Sequence, residues 1–275
     1  MCGRYFRRAE KWEIAERFGV GKMFEEPLGV DYNIAPATLQ PVVRLSRGTG
    51  TGSGSGAGEG SAGEREMALL RWGMVPNFAT ALKDFKGMTT FVARAESVAA
   101  SATWKESLRR RRCLVPADGF YEWAEKATVE AKAGGRVKPV VRAAARSQSR
   151  SQSKSGRQPF AITLRGEGGR GGTMAFAGLW DAWREPKKSP QEVDRWMQSF
   201  AIVTTEANEA MAGICDRMPV ILAEKDWEEW LDRDESRAPP VHLLRPFAAE
   251  EMKVEACNTA VGNLRNHGPE MLRGA

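Results

Sequence analysis

The chain has 275 residues, 42% of them hydrophobic and 28% charged, with nine tryptophans, four cysteines, two histidines and a net charge of +6. That length supports one large domain or two small ones with a sizeable core, and no apolar run approaches the roughly 18 residues that a membrane span needs. Cys2, Cys113, Cys215 and Cys257 are far apart with no C-x-x-C pair, and His242 and His267 are the only imidazoles, so neither a zinc site nor a disulfide scaffold organises the fold and no metal or cofactor is expected.

The positive charge is concentrated. Residues 131–157 hold eight basic side chains (Lys132, Arg136, Lys138, Arg142, Arg146, Arg150, Lys154 and Arg157) and no acid, and removing them from +6 leaves −2 for everything else. Affinity for phosphate must therefore come from a local patch rather than a global field. Residues 1–20 lack the apolar stretch of a secretory signal, so a cytoplasmic location is expected.

In chain order, the spacing predicts a helix over 9–18, with Trp12, Ala15 and Phe18 on one stripe, then a strand over 41–45. A Gly/Ser-rich insertion follows at 47–63, then a strand over 67–71, a helix over 97–108 and strand-like residues over 113–123. The basic stretch 131–157 is a second insertion, too polar to pack. Strands over 160–164, 174–180 and 200–205 come next, then a helix over 206–214, a strand over 219–222, a helix over 224–231 and a strand over 254–257. Strands outnumber helices without alternating with them, which predicts one α+β domain built on a largely antiparallel, barrel-like sheet rather than a doubly wound parallel one. Asp118-Gly119 is a tight-turn signal, so Phe120–Trp123 is expected to begin the returning strand. Period 2 then puts Phe120 and Glu122 on one face and Tyr121 and Trp123 on the other.

The chemistry begins at Cys2. Methionine is usually trimmed before a residue this small, so Cys2 is expected at the mature N-terminus, carrying a thiol and an α-amine on adjacent carbons. Such a pair condenses with an aldehyde to an iminium and closes to a thiazolidine. An α-amine titrates near ~7.7–8.0 and a thiol near ~8.5, so both are partly available at neutral pH. Taken alone, Cys2 fits a chance cysteine on a frayed terminus better. Glu122, beside aromatic rings, is suited to proton transfer once partly buried, although its segment alone fits a solvent-facing strand glutamate better. Gly21-Lys22 lacks the upstream glycine of a phosphate-binding loop, and two histidines do not assemble a Ser/His/Asp triad.

Seven ordered segments carry a resemblance: Cys2-Gly3-Arg4, Tyr32-Asn33-Ile34-Ala35-Pro36, Arg71-Trp72-Gly73-Met74-Val75-Pro76, Ala93-Arg94-Ala95-Glu96, Ala117-Asp118-Gly119-Phe120-Tyr121-Glu122-Trp123, Ala177-Gly178-Leu179-Trp180 and Asp216-Arg217-Met218-Pro219, closed by Val261-Gly262-Asn263-Leu264-Arg265-Asn266. Together they resemble the SRAP family (SOS response-associated peptidases, or abasic site processing proteins), from Cys2 to about Leu272. The resemblance implies the SRAP fold and a sensor for abasic sites in single-stranded or junction DNA that crosslinks through Cys2, in the cytoplasm and on the nucleoid when DNA is bound. It implies that Glu122 assists sugar ring opening and proton transfer, and that Arg4, Asn33, Arg94 and Arg217 line the site and hold phosphate or lesion. Pro36 and Trp72 would meet the bases, although Trp72 fits core packing equally well. Two positions depart from the family pattern: Cys215 stands where histidine is usual, and Val92 where asparagine is usual. A thiol is a poor proton shuttle at neutral pH, so the resemblance implies capture that persists with one relay lost. Two other functions stay open, an N-terminal-cysteine peptidase (autoprocessing or general) and a non-catalytic single-stranded DNA binder.

Overall fold

The structure, a computed structural model, describes residues 2–46, 63–82, 90–125, 157–166, 172–189, 191–192 and 195–274. Apart from Gly63 and Arg157, the insertions read at 47–63 and 131–157 lie outside the described residues. Its strands are β1 (Tyr5–Arg7), β2 (Lys22–Met23), β3 (Asp31–Ile34), β4 (Leu39–Leu45), β5 (Arg65–Trp72), β6 (Val92–Arg94), β7 (Arg112–Ala117), β8 (Gly119–Glu125), β9 (Arg157–Leu164), β10 (Met174–Arg184), β11 (Trp196–Glu206), β12 (Arg217–Pro219), β13 (Ile221–Leu222) and β14 (Met252–Ala256). Among the described residues three α-helices accompany them: α1 (Lys11–Phe18), α2 (Lys105–Arg110) and α3 (Trp227–Leu231).

The larger sheet runs β12-β11-β10-β7-β4-β5-β2, and a parallel pairing of β11 with β5 joins Ser199 to Arg71 and Phe200 to Trp72. That pairing closes β5, β4, β7, β10 and β11 into a five-stranded barrel. The smaller sheet runs β14-β9-β8-β1-β3. The fold is thus α+β on a largely antiparallel barrel, as the strand count predicted.

Alternation along the barrel strands separates two cores. Val42, Val115, Phe176 and Ile202 join one buried cluster with Tyr5, Phe120 and Ile162 of the smaller sheet. Their strand neighbours Val43, Leu114, Ala175, Ala177 and Val203 face the other way, under Ile14 and Phe18 of α1 and Trp227, Trp230 and Leu231 of α3. The second sheet therefore covers one side of the inner cluster, and β1 and β8 lie where the two sheets meet.

Several expectations are corrected. Asp118-Gly119 is not a hairpin turn: β7 pairs with β4 and β10, whereas β8 pairs with β1 and β9, so the chain switches sheets at a corner. The Asp118 carboxylate braces that corner by accepting from the backbone N–H of Arg8 (2.6 Å) and Ala9 (2.9 Å) and the hydroxyl of Thr173 (3.0 Å). Gly119 is required by close approach, since a Cβ there would lie 2.3 Å from the Phe6 ring and 2.6 Å from the Ile162 carbonyl. In α1 the buried stripe is Ile14 and Phe18, while Trp12 faces solvent. The helix read over 97–108 shrinks to α2, because residues 97–104 form turns. The helix read over 206–214 is a single 3-10 turn, Glu209–Met211, capped by the Asn208 side chain.

Candidate active site and nucleic-acid face

The corner after β7 delivers Glu122 to the N-terminal segment. Tyr5 pairs with Phe120 and Phe6 with Gly119, and the backbone N–H of Tyr121 donates to the Arg4 carbonyl (3.0 Å), so residues 2–4 run alongside Glu122. Period 2 sends Phe120 into the inner cluster and Tyr121 to the far face against Phe6, as the alternation predicted. Glu122 is 4% exposed and Cys2 is 4% exposed. Burial excludes the solvent-facing reading of Glu122, and Cys2 is not on a frayed terminus.

The two groups are hydrogen-bonded partners. Burial, then the facing Glu122 carboxylate and its hydrogen bond, push the Cys2 thiol well above its ordinary range. The thiol therefore rests protonated with a proton acceptor in place. Cys215 packs against the same cluster. Burial first, and then the Glu122 charge, raise its thiol as well, while the backbone N–H of Arg217 donates to it and opposes the shift. One carboxylate thus acts on two thiols. Val92 is buried beside Ile202 and contributes packing there.

Buried thiols give the fold an alkaline limit. Burial raises Cys2 and Cys113, and pushes Cys257 up to about 12. A folded-state pKa above the unfolded one means stability that is complete below the ordinary thiol value of ~8.5 and declines as pH rises past it. The melting temperature is expected to hold steady up to about pH 8 and then fall, each such thiol costing about 1.4 kcal/mol per pH unit above ~8.5. Thermal melts that stay flat to about pH 9.5 would contradict this.

A second group lies immediately along the chain from Cys215. β6 runs parallel to β11 with Arg94 opposite Thr204, and β12 runs antiparallel on the other side with Arg217 opposite Glu206. Arg94 is exposed. Arg217 donates to both Glu96 oxygens (2.6 and 3.1 Å), to the Thr204 carbonyl (2.7 Å) and to the Thr204 hydroxyl (3.2 Å). Glu96 stood in a motif read from the sequence but received no role there, and only the strand order brings it to Arg217.

Arg4 and Asn33 are tied into a hydrogen-bonded network within the protein. Arg4 donates to the Asn33 amide oxygen (2.7 Å) and the Val261 carbonyl (2.8 Å), and lies 6.0 Å over the Trp123 ring. The buried Asn33 amide nitrogen reaches the carbonyls of Val261 (3.2 Å), Asn263 (3.0 Å) and Asn266 (2.8 Å). Asn33 therefore pins residues 261–266 against β1 and β3. Pro36 is half-buried in the β3–β4 connection, where Ala37 is held at φ +76° by its N–H donating to the Trp72 carbonyl (2.8 Å). Trp72 itself is 0% exposed; its indole N–H donates to the Phe91 carbonyl (2.8 Å) and its ring meets Tyr5 edge-on at 5.1 Å. The structure thus places Trp72 in the core, with no face offered to a base.

The histidines are engaged at exposed positions, His242 with Glu229 (3.2 Å) and His267 with Asp31 (3.0 Å). Among the described residues, no three His, Cys, Asp or Glu side chains are grouped to hold a metal ion, and no helix is long and apolar enough to cross a membrane.

Comparison with known proteins gives one consistent result. The family model described as SOS response associated peptidase (SRAP) matches residues 1–264. The abasic site processing protein YoqW of Bacillus subtilis is 29% identical, with 99% of each chain covered. YoaM of the same organism, named likewise, is 30% identical, covering 99% of this chain and 97% of its own. The abasic site processing protein HMCES of Xenopus tropicalis is 28% identical across 77% of this chain and 58% of its own length. A crystal structure of a Bacteroides thetaiotaomicron protein superposes over both chains in full with a TM-score of 0.71 at 20% identity, a likeness of fold.

Proposed function

This chain belongs to the SOS response associated peptidase (SRAP) family, and from that premise we propose that it senses abasic sites in single-stranded or junction DNA and traps them covalently through Cys2. The reading is supported by the relatives named abasic site processing proteins. The observation that carries it is the buried Cys2 thiol hydrogen-bonded to Glu122, whose charge also reaches Cys215, two residues before Arg217.

The chemistry follows from those groups. With Met1 removed, the Cys2 amine attacks the aldehyde carbon of the ring-opened sugar, and loss of water leaves an iminium. The Cys2 sulfur then adds to that carbon while its proton passes to Glu122, and the iminium electron pair returns to nitrogen to complete a thiazolidine. Glu122 is the catalytic base of this step and the acid of its reversal. Cys215, sharing the Glu122 field, is shaped by burial to rest as a thiol rather than to shuttle protons as an imidazole would. Arg94 and Arg217 would hold the flanking phosphates. An N-terminal-cysteine peptidase would draw on the same thiol and carboxylate; thiazolidine capture needs the Cys2 amine as well, whereas amide hydrolysis can proceed through the thiol alone.

The test is an abasic single-stranded oligonucleotide incubated with the protein and run under denaturing conditions. A shifted covalent band is expected with the wild type and none with Cys2→Ser, and intact-mass measurement should find Met1 absent. No adduct from protein confirmed to lack Met1 sinks the proposal. Binding that depends on salt and ignores the lesion would favour a non-catalytic binder.

A further inference from the structure

The Arg217–Glu96 pair sits where the proposed phosphate contacts would be made, and its geometry has a directional character. The guanidinium is tethered from the protein side by the Thr204 carbonyl and hydroxyl. Its fork, the edge formed by both terminal nitrogens, is filled from the solvent side by the two Glu96 oxygens at 2.6 and 3.1 Å. The arginine side chain is 16% exposed and the glutamate 53% exposed, so the acid is the outer and more readily displaced partner. Carboxylate and phosphate present the same two-oxygen edge to an arginine fork.

Backbone pairing fixes the rest. Arg94 lies opposite Thr204, and the Ala95 N–H donates to the Thr204 carbonyl (2.8 Å), so the turn carrying Glu96 is anchored to the strand that anchors Arg217. Glu96 falls between the two arginines. Its hydrogen bond from Arg217, and with it the charges of Arg217 and Arg94, hold its carboxyl below the usual carboxylate range, so it stays ionised at any pH at which DNA would be bound.

We propose that Glu96 is a resident phosphate mimic: it occupies the Arg217 fork in the free protein and must be displaced by a DNA phosphate, which lowers affinity for undamaged strands. This rests on the reading of a DNA-binding face and deepens it by naming the residue that sets its strength. A paired Arg217 gains little by exchanging one two-oxygen partner for another, and the exposed Glu96 can swing away into water when a phosphate takes its place. With the acid in place, Arg94, Arg217 and Glu96 together present one net positive charge; without it they present two. The protein therefore binds intact strands loosely and leaves lasting retention to covalent capture, which only a lesion aldehyde provides.

The experiment measures binding of a fluorescent single-stranded oligonucleotide with no abasic site, by anisotropy, across about 50 to 200 mM salt. Glu96→Gln keeps the size and a hydrogen-bonding oxygen but removes the charge. It is expected to bind about fivefold tighter at the low-salt end, with a plot of log affinity against log salt steeper by about 0.7. The double variant Glu96→Gln/Arg217→Gln should lose that gain. Equal or weaker binding by E96Q with an unchanged slope would show that Glu96 organises Arg217 instead of withholding it, and overturns the proposal. So does a gain that survives in the double variant. Because the probe carries no aldehyde, failure of the crosslinking assay leaves this result standing. Absence of binding by all variants removes the DNA-binding face itself, and the proposal with it.

Discussion

Replacing Glu122 by glutamine is expected to slow covalent capture of an abasic oligonucleotide by roughly 10²–10⁴-fold, the range a positioned general base contributes, while leaving binding to undamaged DNA unchanged. Two effects compete in this variant. Removing the carboxylate takes away the charge and hydrogen bond that raise the Cys2 thiol, so the thiol should ionise more easily and alkylate faster with iodoacetamide at neutral pH. An amide, however, accepts no proton, so ring closure loses its base and the reverse step loses its acid. Proton transfer governs the outcome if Glu122 acts as proposed. The diagnostic combination is a Cys2 that alkylates faster and crosslinks more slowly. A variant that does both faster would show Glu122 to be only an electrostatic brake on the thiol. Folding should survive the change, since glutamine fills the same volume in the same strand.

Trp72→Ala should cost about 3–5 kcal/mol of folding stability, the range for emptying a buried aromatic site. Trp72 packs edge-on to Tyr5 and Phe91 and stacks with Phe200 at 6.4 Å. It also stands opposite Phe200 in the parallel pairing that closes the barrel, so the cavity opens at the point of closure, and the Phe91 carbonyl loses its indole donor. Against a typical total of about 5–15 kcal/mol, this is roughly a fifth or more of what holds the fold together. Urea denaturation of W72A and W72F measures it, with the phenylalanine variant expected to recover most of the loss. If Trp72 instead served a base directly, W72A would keep its denaturation midpoint and lose DNA affinity. A loss below about 1 kcal/mol would refute the core assignment.

What the sequence made legible follows from how local each signal is. Strand-like runs over 113–123 and 174–180 located β7, β8 and β10 because each carries its signal within a few residues, although the first run divides between the barrel and the smaller sheet. Alternation over 120–123 placed Phe120 and Tyr121 on opposite faces correctly. The Asp118-Gly119 reading failed for an instructive reason. A turn dipeptide reports that the chain changes direction, but whether the next strand returns to its predecessor or joins another sheet depends on β1 and β9, far away in sequence. Trp12 misled because its apolar ring fits the helical stripe while Ile14 and Phe18 fill the actual interface. Asn33 and Glu96 were equally opaque. Asn33 meets carbonyls more than 225 residues away, and Glu96 meets an arginine 121 residues away. Side-chain chemistry made Cys2 and Glu122 candidates and the ordered motifs around them gave them roles, yet their burial and mutual hydrogen bond are products of the two-sheet corner.

The joint between β5 and β11 has a bearing on timing. Ring closure requires Arg71 and Trp72 to meet Ser199 and Phe200, partners so remote that their approach is a late and slow event in any assembly order. On a ribosome adding about 5–20 residues per second, the N-terminal thiol precedes Cys215 by on the order of ten to forty seconds. During that interval the nascent chain carries a solvated cysteine with ordinary acidity and no neighbouring carboxylate. The buried pairing of that thiol with Glu122 is therefore a property of the finished fold, set by tertiary assembly after the cysteine has already been made.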